Sequence, residues 1–166
     1  VLTHRPCDYH PDHRAVGQLT QDASYLVTVP KVVPEVPPLF EDPVIFYMTD
    51  LFTRPARLRP DLVLDVEPQL DSVIEMLACH RTQVFEWLPY EKGILDQVPD
   101  EPEHKLAWLR TWFHDEIAER ANHFREALMA TYGEEKGKAV TYCEAFEVSE
   151  YAGKLDDEKR AKLWPF

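Results

Sequence analysis

From Thr3 to Arg14 the chain reads THRPCDYHPDHR, with three histidines (His4, His10, His13) and two aspartates (Asp8, Asp12). Neutral imidazole and carboxylate are the nitrogen and oxygen donors that divalent transition metals take. His10 and His13 stand three apart around Pro11, which is tolerated in a first helical turn. With His10 as the cap, both rings project to the same side of the helix mouth. The positive end of the helix disfavours imidazolium, which leaves a lone pair on each ring for a cation. The His10–Arg14 run is therefore read as functional. His4 is read as a solvated surface residue, and for Asp8 a turn or cap role and a site role both stand. A complete catalytic zinc site takes three protein ligands and an open position, more than this spacing supplies.

The elements on either side must hold this loop. Val1–Thr3 is apolar and β-prone, and Pro11–Leu26 reads as a helix with Ala15, Val16, Leu19 and Ala23 on its apolar face. A loop joining a strand to a helix lies at the carboxyl edge of an open α/β sheet, where ligands bind. Five prolines make Val29–Pro43 an irregular loop, and Leu51–Pro60 is another. Val44–Thr49 and Leu62–Val66 read as buried strands. Glu67–Trp87 and Glu103–Tyr132 read as helices, the second stopping at Gly133, with a loop over Leu88–Pro102. Ala139–Val148 is read as a helix end running into a short edge strand. Asp156–Phe166 is read as a charged turn or helix whose apolar Leu163–Phe166 tail docks on the body.

The alternation predicts an α/β layered, Rossmann-like fold with a mostly parallel sheet. Three strands are few for that class, so the strand at Val1 is expected to present an open apolar edge and to pair outside this sequence. At 166 residues one domain, 1–166, is expected. A net charge of -12 repels phosphate backbones and anionic lipid, which argues against nucleic acid or a membrane surface as partner. Cys7, Cys79 and Cys143 are scattered and odd in number, which reads as reduced thiols in a cytoplasmic protein, with Cys79 and Cys143 as small buried residues.

The run from Thr3 to Gln18, THRPCDYHPDHRAVGQ, resembles the second signature of the LmbE/PIG-L family of N-acetylglucosaminyl deacetylases. Softer likenesses follow at Met76–Gln83 (MLACHRTQ), at Glu144–Tyr151 (EAFEVSEY) and at the closing Trp164-Pro165-Phe166. The resemblance implies zinc as cofactor and His13 as its ligand. It implies that His10 stabilises the oxyanion or protonates the leaving amine, with Asp12 supporting His10 by hydrogen bonding. His80, in a family-like segment, is read as a capped or buried helix histidine.

The family's first signature, an Ala-His-Pro-Asp-Asp-Glu type run, does not occur in the sequence. In the family that run carries two further metal ligands and the water-activating carboxylate. The resemblance thus implies a partial Rossmann-like fold whose N-terminal half is absent, and weak zinc binding by the chain alone. The implied reaction is removal of an N-acetyl group from an N-acetylglucosamine-type sugar or conjugate. The implied protein partner is the missing half or a second copy of the chain. The rival expectation is a non-catalytic α/β fragment that binds a partner through its exposed strand edge.

Overall fold

The computed structural model describes residues 1–164. They fall into two compact units: Val1–Leu62 with the chain from Ala145 onward, and Val63–Glu144. The first unit carries β1 (Leu2–Thr3), α1 (Pro11–Leu26), β2 (Phe46–Tyr47) and α7 (Asp157–Leu163). The second carries α2 (Leu70–Ala78), α3 (Leu88–Glu91), α4 (Pro102–His123), α5 (Arg125–Tyr132) and α6 (Glu134–Ala139). The chain passes between the units within β3 (Leu62–Asp65) and returns within β4 (Cys143–Val148).

The sheet runs β1-β2-β4-β3. Leu2 and Thr3 pair in parallel with Phe46 and Tyr47, whereas β2 pairs antiparallel with β4. The Asp61 N–H donates to Phe146 O and the Val66 N–H to Tyr142 O, so the pairing of β3 with β4 is antiparallel as well. The expectation of a mostly parallel sheet is corrected to a mixed one. Ala139–Val148 was expected to end in an edge strand. Its strand instead lies between β2 and β3, and Cys143, Ala145 and Phe146 are buried. Strand periodicity reports which faces are covered and is silent about which neighbour lies alongside.

In the first unit Val44, Ile45, Phe46, Tyr47, Leu58, Ala145 and Phe146 form the buried apolar set. The Trp164 ring meets Phe46 edge-on and Phe146 at a tilt, so Trp164 docks as expected, whereas Leu163 is exposed. Pro165 and Phe166 lie outside the described residues. Helix α1 has the expected bounds with the opposite face buried. Gly17 and Ser24 are covered, while Val16 and Leu19 are exposed along with Ala15 and Ala23. Both long loops of the first unit carry neither helix nor strand, and β2 lies between them.

In the second unit Ile74, Val84, Phe85 and Leu109 form a core flanked by Leu77, Trp108, Trp112 and Phe113. The helix expected over Glu67–Trp87 is broken after Ala78 and resumes as a wide π turn over Gln83–Trp87, running into α3. Pro89 has no N–H to continue a regular ladder, and a wide turn in front of it absorbs the loss. Pro102–Tyr132 is interrupted once, at Phe124, which is buried with non-helical dihedrals. Gly133 ends α5 at φ 85°, the left-handed side that suits glycine. Two expectations are corrected here. His80 is exposed just past α2 rather than capped or buried, and Cys79 is exposed, whereas Cys143 is buried.

Candidate metal and anion site

The cluster begins with backbone placement. Thr3 at the end of β1 is buried, and its hydroxyl lies 3.4 Å from that of Thr20 on α1. One helical turn past His13, Gly17 lets α1 lie against the loop. A Cβ added there would sit 2.6 Å from the His4 carbonyl oxygen and 3.2 Å from the Arg5 carbonyl carbon. That approach brings the first turn of α1 beside residue 4.

His10 caps α1 with extended dihedrals, and its Nδ1 accepts the Asp12 N–H at 3.2 Å. An accepting Nδ1 carries no proton, so the ring's N–H is at Nε2. Asp12 was expected to hold His10 by its carboxylate. Its side chain is fully solvated and stands 3.9 Å from Nδ1, and the contact that fixes the ring comes from its backbone N–H.

Asp8 takes the turn role left open for it and also faces two of the histidines. Its side chain is 7% exposed. Oδ1 accepts the His10 N–H at 2.8 Å, a turn bond, and lies 3.0 Å from His13 Nδ1. Oδ2 of Asp8 lies 3.9 Å from His4 Nδ1. The rings of His4 and His13 stack at 3.9 Å with 1° between planes. Arg14 Nη1 ties the turn by donating to the carbonyls of Asp8 and Tyr9.

His4, Asp8 and His13 thus offer one ligand atom each within 4.8 Å of one another. Two imidazoles and a carboxylate form a donor set that a divalent transition metal can take. Burial, and then the neighbouring His13, push the His4 pKa down, against the pull of Asp8 and Asp50. A neutral ring is the form a metal takes. Reading His4 as a solvated surface residue overlooked this. The missed signal is that a residue directly after a buried strand shares the sheet edge with the helix that follows. His10 adjoins the group, its ring 4.9 Å from that of His13, and is outside the three-atom set.

A second loop completes the neighbourhood. Arg5 is buried, donating from Nε and Nη2 to the two oxygens of Asp50 at 2.7 and 2.6 Å and from Nη1 to Ala56 O at 2.9 Å. Asp50 also accepts the Phe52 N–H. These bonds pin residues 50–56, and Phe52 meets Tyr9 edge-on at 6.1 Å.

Comparison with protein-family models and with curated protein sequences finds no match. Among solved structures the chain is similar to GalB, the 4-carboxy-2-hydroxymuconate hydratase from Pseudomonas putida KT2440, with a TM-score of 0.56 at 16% identity. The likeness covers 95% of this chain and 53% of that one, so the chain spans about half the length of its structural neighbour. At that identity the likeness is one of fold. No helix among the described residues is long and apolar enough to cross a membrane.

Proposed function

We propose that this chain is the metal- and oxyanion-binding part of a zinc-dependent hydrolase that removes an N-acetyl group from an N-acetylglucosamine-type sugar or conjugate. The observation that carries the reading is the His4–Asp8–His13 group, set in a loop whose sequence resembles that of N-acetyl-sugar deacetylases. Zinc in such a setting lowers the pKa of a bound water and polarises a carbonyl oxygen. His4, Asp8 and His13 would supply the three ligand atoms, with His13 Nδ1 lying 3.0 Å from Asp8 Oδ1. His10 keeps Nε2–H free for the oxygen that gains charge or for the departing amine, because its Nδ1 is committed to the helix cap. The carboxylate that takes the proton from water is assigned to polypeptide outside these 166 residues.

Zinc titration of the chain against a competing chelator tests the reading. The resemblance alone implies weak binding, but with His4 and Asp8 beside His13 one-to-one binding is expected, lost in His13→Ala and kept in His10→Ala. In the protein completed by the carboxylate-bearing segment, His10→Ala is expected to lower turnover about a hundred- to a thousandfold with zinc content intact. Absence of zinc binding, or equal loss of zinc in both variants, overturns the proposal. Consumption of 4-carboxy-2-hydroxymuconate without release of acetate from N-acetylglucosamine conjugates overturns the reaction type.

A second reading, a non-catalytic fold that binds a partner along β1, is supported by the position of β1 at the edge of the sheet and by the exposure of Val1, Leu2, Val16 and Leu19. It predicts a stable complex with that partner in the absence of any metal.

A further inference from the structure

Beside the histidine cluster lies a pocket of about 350 Å³ lined by Cys7, Asp8, Tyr9, Phe52, Thr53 and Arg54. Asp8 belongs to both. Three of the nearby arginines are engaged, and Arg57, which like Arg54 has no carboxylate or carbonyl partner among the described residues, does not line the pocket. Arg5 is held by Asp50, Arg14 by the carbonyls of Asp8 and Tyr9, and Arg59 by Glu150. Arg54 has neither a carboxylate nor a carbonyl partner among the described residues, although the chain has 30 acidic side chains against 18 lysines and arginines. Its loop is held in place by the buried Arg5–Asp50 pair and the bond to Ala56 O. A guanidinium that keeps its donors free on a pinned loop beside a cation site is placed to meet an anion.

We propose that Arg54, with the Thr53 hydroxyl beside it, binds an anionic substituent of the ligand, so that the site takes an acidic acylated compound in preference to a neutral one. The shared chemistry is a set of negatively charged oxygens, on a carboxylate or a phosphate, 
with Tyr9 and Phe52 as the apolar walls. The acylated part of this description rests on the hydrolase reading above, and the anion preference rests on Arg54. The overall charge of the chain repels acids at long range, so discrimination has to come from this local contact.

The test is a nuclear magnetic resonance titration of the full chain with three probes: N-acetylglucosamine, its 6-phosphate, and N-acetylmuramic acid, which carries a carboxylate. The Arg54 Nε–H and the Phe52 and Thr53 amides report binding. At least one acid is expected to bind roughly tenfold more tightly than the neutral sugar, with the preference falling as salt is raised. Arg54→Gln is expected to erase the preference and Arg54→Lys to retain part of it. Arg57→Gln, the same charge change on the same loop away from the pocket lining, should leave it in place. The acid whose affinity suffers more in Arg54→Gln identifies the group as carboxylate or phosphate. Equal binding of all three probes, failure of both acids to bind, or equal effects of Arg54→Gln and Arg57→Gln overturn the inference. Zinc binding and deacetylation with no effect of Arg54→Gln leave the hydrolase standing without the anion site. An Arg54-dependent preference without zinc binding leaves the anion site standing without the hydrolase.

Discussion

Replacing Gly17 by alanine tests the idea that a backbone approach assembles the cluster. The added Cβ would stand 2.6 Å from the His4 carbonyl oxygen, and ordinary contact begins at 3.4 Å, so the surfaces must part by about 0.8 Å. The obstacle is backbone on both sides, and no side-chain rotamer can relieve it. The residues that separate are the ones bearing the ligands, since His13 sits one turn before Gly17 and His4 is the residue struck. Overpacking of this size costs about 1–3 kcal/mol. For a chain of this length that corresponds to a Tm lower by roughly 2 to 12 °C. A shift approaching 1 Å also parts the His4 and His13 rings, which stack at 3.9 Å, so zinc affinity should fall at a temperature where the variant is still folded. Calorimetry beside a chelator competition reads both. A variant with unchanged Tm and unchanged zinc affinity would refute the claim that the α1 approach sets the site. A lower Tm with unchanged zinc affinity would separate the packing from the ligand geometry.

Arg5→Met should destabilise by about 3–5 kcal/mol in urea unfolding because it leaves Asp50 buried and unpaired. Coupling it with Asp50→Leu should recover much of that loss. His10→Ala should cost about 1 kcal/mol through the lost cap, and His10→Asn should restore it. Burial first, and then Glu144, push the Cys143 thiol up to about 11. A thiol reagent at pH 8 should therefore label Cys79 in the folded protein and reach Cys143 only on unfolding. Because the folded pKa lies above the unfolded value of 9.0, the neutral thiol's contribution is complete below pH 9. It is lost between pH 9 and about 11, on the order of 2–3 kcal/mol in a pH series of melts that Cys143→Ala should flatten.

Local chemistry was legible where it is self-contained. Pro11 at the first turn with His10 before it and Gly133 after Tyr132 fix helix ends that the structure reproduces, because caps and left-handed stops depend on the residues present. The face that α1 buries was not legible. Gly17 and Ser24 are covered through close backbone approach, a contact that rewards small residues and leaves no apolar stripe. The place of β4 between β2 and β3 was not legible either, since pairing partners come from a remote part of the chain. At the site, spacing from His10 pointed to His13, which falls in the three-residue group that His10 adjoins. Arg5 and Arg54 could not, because their relation to the cluster is made by a loop some forty residues away in sequence.

The hydrogen bond from the Asp61 N–H to Phe146 O has an evolutionary consequence. It sets side by side the two points at which the chain leaves and re-enters the first unit, and the Val148 N–H donated to Asp61 Oδ2 reinforces the junction. The helices of residues 63–144 therefore occupy the position of an insertion whose ends meet in a two-strand neck. Changes in their length or number fall outside the unit that carries His4, Asp8 and His13.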